Sequence, residues 1–268
     1  MDYKFAVFAY GDVGLAAVKI FRDRKEQLKF VLLDRENFWN KNQLIIEELK
    51  NYPATEIVYY EKEEDLIEKC KGLDIVILAW WGRIIKGRLL ETPCHGFINL
   101  HTSFLPYGKG KHPHYWSLVE EKPYGVTIMK IDAGLDTGAI IYQREIEKSW
   151  EDTGKSLYFR GIRTMCDLLE EKRDELLNLQ FEEKAQDGEG TFHFGKEINE
   201  HSMIHLEEEY RARDLLNKIR ARTFEPFPAA YFMEDGEKYE VRVTIQKVTE
   251  PFDSKNVNYS EISEDTGL

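Results

Sequence analysis

An asparagine and a histidine stand two positions apart, as Asn99 and His101, directly after a short apolar run in the segment INLHTSFLP (98–106). A histidine takes up and releases protons near neutral pH, because its unperturbed pKa is about 6.5. An asparagine amide can donate a hydrogen bond to an oxygen that gains negative charge during a reaction. The two residue types can therefore serve proton transfer and the stabilisation of a developing negative charge.

The residues that follow this pair argue against a purely structural role. Alone, the pair would be interpreted as a satisfied core histidine and a turn asparagine. Here it is followed by Ser103, Pro106, the loop GKGKHP (108–113) and, after one more apolar run, DAGLDTG (132–138). A carboxylate such as Asp136 can orient an imidazole and stabilise its protonated form. Packing alone does not readily produce this combination.

Seven short apolar runs supply the elements that would position these residues. Helical patterns separate the first five runs, which predicts a parallel sheet covered by helices on both faces. The last two runs are joined by DAGLDTG and predict an antiparallel pair at the sheet edge. Ligands of such sheets bind beyond the carboxyl ends of the strands. The fold class is therefore α/β with a Rossmann-like, mostly parallel sheet, its runs lying at 4–10, 29–34, 56–60, 74–80, 97–100, 126–131 and 139–146.

The chain beyond this sheet divides into further parts. Residues 156–180 carry apolar side chains at helical spacing and would close the first domain, whereas QDGEG (186–190) has the composition of a linker. A short amphipathic pattern at 212–219 and two β-rich runs around Asp235-Gly236 predict a helix and a hairpin. We expect three parts: a catalytic domain at 1–185, a helix-plus-β-hairpin subdomain at 190–250 and a polar tail at 251–268.

The composition limits the classes of partner. The chain has 268 residues, 42% of them hydrophobic, and a net charge of −12 without a block of Lys and Arg, so nucleic acid is not expected as a partner. The three cysteines show no CxxC spacing, and HPH (112–114) lacks nearby Cys or carboxylate ligands, so no metal site is expected. Because no apolar run of ~18 residues occurs, we expect a cytoplasmic protein that does not enter a membrane.

Taken in order, these segments resemble the formyltransferases that use N10-formyltetrahydrofolate. That family has the pattern Asn-x-His-x-Ser-x-x-Pro, a basic glycine loop and an Asp within an Asp-Thr-Gly turn. The resemblance covers about residues 1–180 and implies the formyltransferase fold, with N10-formyltetrahydrofolate as co-substrate. Lys109 stands where many members have Arg. The compact ammonium group of Lys therefore replaces the planar guanidinium group, which can form two parallel hydrogen bonds. The matching residues are Asn99, His101, Ser103, Pro106, Lys109, Gly110, Asp136, Thr137 and Gly138.

The resemblance implies roles for individual residues. Asn99 would stabilise the oxyanion, His101 would take the proton of the attacking amine, and Asp136 would support the imidazolium. Neither a metal nor a covalent intermediate is needed. The segment LAWWGRII (78–85) resembles the stretch that wraps the pterin ring in that family. The implied cofactor-binding residues are Trp81, Gly82, Arg83, Ile84, Ile85 and Leu135.

The acceptor amine differs among members of that family, whose acceptors are glycinamide ribonucleotide, methionyl-tRNA and nucleotide-linked amino sugars. The glycinamide enzymes are essentially the first domain alone, and the tRNA enzymes carry a larger, basic C-terminal barrel. Residues 190–268 hold ten Lys or Arg and sixteen Asp or Glu, which is a poor surface for a polyanion. The segment LLNKIRARTFEPFPAAYF (215–232) instead resembles the C-terminal region of the sugar N-formyltransferases.

The sequence therefore predicts a sugar N-formyltransferase that acts on a 3- or 4-amino-dideoxy sugar linked to a nucleotide, with dTDP favoured, in cell-surface glycan biosynthesis of the O-antigen type. Lys109, Arg220 and Phe224 are expected at the sugar nucleotide, with Arg222 as a second diphosphate candidate and hinge packing as the alternative for Phe224. A homodimer through the C-terminal region is expected. Two alternatives stay open: a methionyl-tRNA formyltransferase, and a non-catalytic module that binds folate or a nucleotide.

Overall fold

The apolar runs of the sequence become the strands of the fold, in a computed structural model that describes residues 3–24, 27–35 and 41–249. In chain order the strands are β1 (Phe5–Ala9), β2 (Leu28–Leu33), β3 (Glu56–Tyr59), β4 (Ile75–Ala79), β5 (Phe97–His101), β6 (Lys109–Gly110), β7 (Gly125–Lys130), β8 (Ile140–Glu145), β9 (Phe192–His193), β10 (Ala230–Glu234) and β11 (Glu237–Val241). The helices are α1 (Gly11–Phe21), α2 (Asn42–Leu49), α3 (Glu63–Cys70), α4 (Gly87–Leu90), α5 (Pro113–Val119), α6 (Gly154–Leu177), α7 (Glu197–His201) and α8 (Ala212–Arg222).

Within the described residues, a seven-stranded sheet has the order β3-β2-β1-β4-β5-β7-β8. The strands from β3 to β5 are parallel, and β7 and β8 continue the sheet as antiparallel strands. All side chains of β1 and β4 are buried. This burial results because α1, α2 and α6 pack on one face of the sheet and α3 and α4 on the other. The prediction of an α/β fold with an antiparallel edge is confirmed.

Strand β5 separates core residues from site residues by its alternation. Ile98 and Leu100 belong to the core cluster on the α1 and α6 side, whereas Phe97 packs in the cluster on the α3 and α4 side. Because side chains alternate along a strand, Asn99 and His101 share the face of Phe97. His101 is the last residue of β5. It therefore leaves the sheet at its carboxyl end, next to the loop that follows β4.

Helix α6 begins two residues earlier than the apolar spacing predicts. The reason is a capping box, in which the Thr153 side chain accepts a hydrogen bond from the Ser156 backbone N–H and Ser156 reciprocates at the backbone N–H of Thr153. Such boxes satisfy two donors that a helix start leaves without partners. The helix then packs along α1 and β7, so it closes the face of the sheet that carries the larger core cluster.

The C-terminal part contains the predicted helix and hairpin. Helix α8 starts at Ala212, as the spacing predicts, and β10 pairs antiparallel with β11. Asp235 and Gly236 connect these strands with φ of 50° and 82°, the left-handed pair that a two-residue hairpin turn requires. The predicted tail at 251–268 lies outside the described residues. None of the helices in the described part of the chain is long and apolar enough to cross a membrane.

The stretch interpreted as a linker packs against the loops of the first domain. Strand β9 pairs in parallel with β6, so Lys109 lies opposite Phe192 and Gly110 opposite His193. An isolated bridge between Ile140 and Lys184 attaches the preceding residues to the edge of the sheet. Residues 184–193 are therefore part of the surface that carries the site loops. The division into units at 1–185 and 190–250 stays a prediction.

Candidate active site

His101 and Asp136 come together at the carboxyl end of β5. The Nε2 atom of His101 lies 3.8 Å from Oδ2 of Asp136 and 3.2 Å from the carbonyl oxygen of Gly108. Both side chains are partly buried. Because both neighbours of Nε2 are hydrogen-bond acceptors, this nitrogen carries the ring proton. The Nδ1 lone pair is then the basic position of the ring.

Asp136 belongs to the loop 132–138 between β7 and β8, and it has a left-handed φ of 54°. Its Oδ2 atom accepts a hydrogen bond of 2.9 Å from the backbone N–H of Gly110. The loop is tightened at its start by Asp132, whose Oδ1 accepts from the Gly134 backbone N–H and from the Thr137 hydroxyl. The loop therefore holds the Asp136 carboxylate at the two site elements, His101 and the glycine loop.

Asn99 lies two residues before His101 on the same face of β5 and is partly buried. Among the described residues, its side-chain amide has no hydrogen-bond partner within the protein. A half-buried amide without a partner costs free energy unless a ligand or water satisfies it. The amide N–H of Asn99 is thus available as a donor at the position where His101 presents its imidazole.

The glycine loop adopts backbone conformations that side chains would strain. Gly108 and Gly110 have φ of 70° and 84°, in the left-handed region that glycine enters most easily. A Cβ atom at Gly110 would also overlap the carbonyl oxygen of His193. Lys109 stands between these glycines, and its backbone N–H donates to the carbonyl oxygen of Thr191. In the part of the chain that the structure describes, its ammonium forms no ion pair.

The segment from Trp81 to Ile85 connects β4 to α4. Trp81 packs against Phe8 and Tyr60, with ring centroids 5.4 and 6.0 Å away, and its indole N–H is buried without a partner. Ile85 is also buried. Two apolar side chains next to this anchored segment remain open to solvent: Ile84 is 64% exposed and Leu135 is 45% exposed.

Arg83 in the same segment is held by the sheet. Its Nε donates a 2.8 Å hydrogen bond to Oδ2 of Asp34, and its guanidinium lies over the ring of Tyr60 at 4.2 Å. Gly82 has open space around its Cα, so a ligand can approach the backbone there. Taken together, an open glycine and exposed apolar side chains fit a flat heteroaromatic ligand such as a pterin.

A second group of ionisable residues lies after the glycine loop. Burial, helped by the nearby cation Arg222, lowers the pKa of His112 to about 4 and of His114 to about 3. Both rings are therefore neutral at pH 7. Lys111 also contributes to the lowered pKa of His112, and the Nε atom of Arg222 is buried without a partner. Lys111 and Arg222 thus both act on His112, and neither histidine adds a positive charge of its own.

Comparison with known proteins shows where this geometry belongs. Residues 41–168 match the family described as Formyl transferase, and residues 197–247 match the N-formyltransferase dimerization C-terminal domain. The solved formyltransferase PseJ from Anoxybacillus kamchatkensis, in complex with UDP-4,6-dideoxy-4-formamido-L-AltNAc and tetrahydrofolate, is 30% identical. That match covers 70% of this chain and 96% of PseJ, with a TM-score of 0.53. The chain belongs to the formyl transferase family.

Two further proteins extend this likeness to formyl transferases. Methionyl-tRNA formyltransferase of Thermodesulfovibrio yellowstonii is 35% identical over 178 residues, which are 65% of this chain and 56% of the relative. The chain spans about half the length of the curated relatives it matches first. A sugar N-formyltransferase from Shewanella sp. FDAARGOS_354 is 21% identical with a TM-score of 0.79, and the match covers 92% of this chain and 100% of that structure.

The Arg220 side chain makes its hydrogen bonds within the protein. The residue is only 7% exposed. Its Nη1 donates to the backbone carbonyls of residues 149, 150 and 152, and its Nε donates to Oδ1 of Asn217. The Arg220 guanidinium therefore ties α8 to the loop before α6, and its expected contact with a diphosphate stays a prediction.

Phe224 of the formyl transferase is buried as well. Its ring packs against His114, Tyr158, Phe159 and Phe227, with centroid distances between 5.1 and 6.1 Å. A base cannot stack on a ring that is enclosed in this way. The placement favours hinge packing, the alternative reading of this residue, over contact with a nucleotide.

Three residues of the formyl transferase site were not predicted from the sequence: Lys111, Gln186 and Thr191. Gln186 donates to the loop of Asp136, and Thr191 accepts a hydrogen bond from the glycine loop. Both follow the predicted end of the first domain, in a stretch without apolar periodicity. The one available signal is composition, because polar residues interrupt a glycine-rich stretch there.

Proposed function

We propose that the chain transfers the formyl group of N10-formyltetrahydrofolate to the amino group of a nucleotide-linked amino sugar. The single observation that carries the chemistry is the arrangement of the unpartnered Asn99 amide beside the His101 and Asp136 pair. Membership of the formyl transferase family supports the donor. The segment 81–85 and Leu135 offer the donor an apolar contact surface with an open glycine.

The residues divide the work of the reaction among them. As the acceptor amine attacks the formyl carbon, a C–N bond forms and the carbonyl oxygen becomes an oxyanion, to which Asn99 donates a hydrogen bond. His101 takes the proton that the amine loses. Asp136, 3.8 Å from Nε2 of His101, stabilises the imidazolium. When the tetrahedral intermediate collapses, the bond from the formyl carbon to N10 breaks, and N10 receives the proton from His101.

The C-terminal part supports a sugar nucleotide over a tRNA as the acceptor. Residues 197–247 match a C-terminal domain of N-formyltransferases, and the acidic excess of residues 190–268 disfavours a polyanion. The likeness to the Shewanella structure extends over 92% of this chain, and the PseJ complex contains a UDP-linked formamido sugar. We propose a 3- or 4-amino-dideoxy sugar, with dTDP as the first nucleotide to test. The product would supply a glycosyltransferase for cell-surface glycans.

The diphosphate has a different binding residue from the one that the sequence indicates. Lys111 and Arg222 both lie close enough to His112 to lower its pKa. Among the described residues, the buried Nε of Arg222 has no hydrogen-bond partner, and its Nη2 donates a hydrogen bond of 3.3 Å to Oδ1 of Asn199. Lys111 and Arg222 are both cations, and the histidines beside them are neutral. Such a pair of cations suits a dianionic group. We propose that they take the place of Arg220 at the diphosphate, with Lys109 between them and the catalytic pair.

The exposed face of the hairpin supports a homodimer. Met233 is 42% exposed and Tyr239 is 48% exposed on β10 and β11. A two-stranded sheet is marginally stable alone, and α8 covers the face of this hairpin that carries Ala230, Phe232 and Val241. The matching family domain is described as a dimerization domain. We propose that two copies of the chain associate through residues 229–248.

An acceptor panel tests the proposed function. The purified chain is given N10-formyltetrahydrofolate with dTDP-, UDP- and GDP-linked 3- and 4-amino-dideoxy sugars or with charged initiator tRNA, at two ionic strengths. We expect formylation of at least one sugar nucleotide, detected by mass spectrometry, and no formylation of tRNA. Formylation of tRNA alone, falling steeply with salt, would contradict the sugar assignment. Ligand binding without turnover of any acceptor would favour the non-catalytic module.

Lys111→Ala tests the diphosphate site. We expect the KM for the sugar nucleotide to rise about 10-fold, because a charge-assisted hydrogen bond contributes about 1.5 kcal/mol at its low end. The KM for the folate should not change, since Lys111 lies away from segment 81–85. Lys71→Ala is the matched control, because Lys71 follows α3 at the opposite end of the sheet. An unchanged KM for the sugar nucleotide would remove Lys111 from the binding site.

A further inference from the structure

The segment 186–193, named here the strap, lies across both loops that carry the reacting groups. Gln186 stands at its start, and its Nε2 donates two hydrogen bonds of 2.9 Å, one to the carbonyl oxygen of Asp136 and one to that of Gly138. One side-chain amide thus holds the backbone on both sides of Thr137. Within the described part of the chain, the Oε1 atom of Gln186 is buried without a partner, so the two carbonyls orient the amide.

The two hydrogen bonds of Gln186 matter because Asp136 has an unfavourable backbone conformation. Asp136 has a left-handed φ of 54°, which costs a non-glycine residue free energy unless its surroundings enforce it. Gly138 lies so close to β7 that a Cβ there would overlap the carbonyl oxygen of Lys130. From outside the loop, the hydrogen bonds of Gln186 hold the backbone at Asp136 and Gly138, and the Gly110 N–H holds the Asp136 carboxylate. The direction of the carboxylate depends on that backbone.

The other end of the strap holds the glycine loop. The Thr191 hydroxyl accepts a 2.9 Å hydrogen bond from the backbone N–H of Gly108, and the Thr191 backbone N–H donates to the carbonyl oxygen of Pro106. Gly190 fits directly against that carbonyl, because a Cβ atom would overlap it. Gly108 is the residue whose carbonyl oxygen faces His101. The strap therefore touches the immediate neighbours of both His101 and Asp136.

The strap is itself anchored at its C-terminal end. The imidazole of His193 lies between Glu120 and Glu197, with nitrogen–oxygen distances of 2.7 and 2.8 Å. The same ring stacks on Trp116 at a centroid distance of 3.7 Å and an interplanar angle of 9°. Lys111 donates its backbone N–H to the His193 carbonyl oxygen. The far end of the strap is thus fixed to α5 and α7, and Gln186 acts from a rigid support.

We propose that Gln186 is a positioning residue that sets the Asp136 carboxylate relative to His101, and that Thr191 does the same for the glycine loop. The inference rests on the proposed function, since the geometry matters through formyl transfer. In enzymes, a displacement of about 1 Å by a change away from the reacting atoms can cost about 100-fold in rate. The strap acts without touching a substrate.

Gln186→Ala is the first test, and its effect depends on Asp136. We expect kcat to fall about 10- to 100-fold, with the KM for folate little changed and the temperature of thermal unfolding lowered modestly, because two carbonyl oxygens lose their donor. In an Asp136→Asn background the same substitution should have no further effect on kcat, because the group that Gln186 positions has already lost its charge. A loss of equal size in both backgrounds would mean that Gln186 acts only on general stability, which contradicts the proposal.

Two more variants keep the test decisive if Gln186→Ala folds poorly. Gln186→Glu keeps the length of the side chain but replaces the donating amide by an oxygen that faces two carbonyls, and it should lower kcat as Gln186→Ala does. Thr191→Val keeps the shape but removes the acceptor for Gly108, and it should also lower kcat. Gln180→Ala is the matched control, since Gln180 is exposed after α6. Wild-type kcat in Gln186→Glu would overturn the role of Gln186.

The same series separates the two proposals. Absence of formyl transfer by the wild-type chain with every acceptor overturns the proposed function and, with it, the strap inference. Normal wild-type turnover together with normal kcat in Gln186→Ala and Thr191→Val overturns the strap inference alone. The measurement is tetrahydrofolate release under saturating substrates, which reports kcat directly.

Discussion

Replacing His101 by Asn is expected to lower kcat by at least about 100-fold, the low end of general-base contributions. Asparagine keeps a polar side chain of similar size but cannot take the proton that the amine loses. The position of His101 at the end of β5 allows the substitution without disturbing the core, because its neighbours Ile98 and Leu100 hold the strand from the other face. Binding of folate and of the acceptor, measured by calorimetry, should be nearly unchanged.

Two measurements accompany the His101 variant. His205→Asn is the matched control, because His205 is exposed and lies in the C-terminal part. It should turn over at the wild-type rate. Near-normal turnover of His101→Asn would refute the role as base, whereas a loss of folding in the thermal melt would show that the residue is needed for structure.

Asn99→Ala is the second substitution with a large expected effect. Loss of an oxyanion donor typically costs about 10²–10³ in kcat. The structure makes this the expected range, since the Asn99 amide has no partner among the described residues and its removal breaks no internal hydrogen bond. The rate should be measured at saturating concentrations of both substrates, so that the change reports the chemical step.

The stability of Asn99→Ala distinguishes the catalytic role from a structural one. A catalytic amide predicts a normal unfolding temperature with a large loss in kcat. Asn217 offers the contrast within the same chain, because it is fully buried and its Oδ1 accepts a hydrogen bond from Arg220. Asn217→Ala should lower the unfolding temperature. If Asn99→Ala instead lowers stability at normal specific activity, the oxyanion role is excluded.

Much of the fold follows from local pattern. The runs around β1 and β4 are apolar at every position, which predicts strands buried on both faces. The Asp235-Gly236 turn can also be predicted from the sequence, because a two-residue hairpin turn needs a left-handed conformation that few residue types adopt. Strands β6 and β9 cannot be predicted from local sequence pattern. Each has two residues, too few for any alternation, and each exists because of a partner far along the chain.

Some residues of the candidate site could be predicted from the sequence and others could not. Asn99, His101 and Asp136 could be predicted because the chemistry restricts the residue types and their order, and the structure brings His101 and Asp136 together. The contacts of Arg220 could not be predicted, because an arginine near a helix end has the same sequence pattern whether it faces a ligand or backbone carbonyls. Only the tertiary fold shows that the Arg220 guanidinium donates hydrogen bonds to three backbone carbonyls before α6. Gln186 was missed because its hydrogen bonds reach across 48 and 50 residues.

The distance along the chain between the strap and the loops it holds bears on the order in which the protein is completed during synthesis. Gly108 and Thr191 are 83 residues apart. The sheet has all seven strands once Glu145 has left the ribosome, whereas the contacts around Gly108 and Asp136 await Gln186 and Thr191. Closing such long loops adds an entropic cost that local turns avoid. The nascent chain therefore gains the strands of its sheet first, and the contacts that hold the proposed site form later in translation.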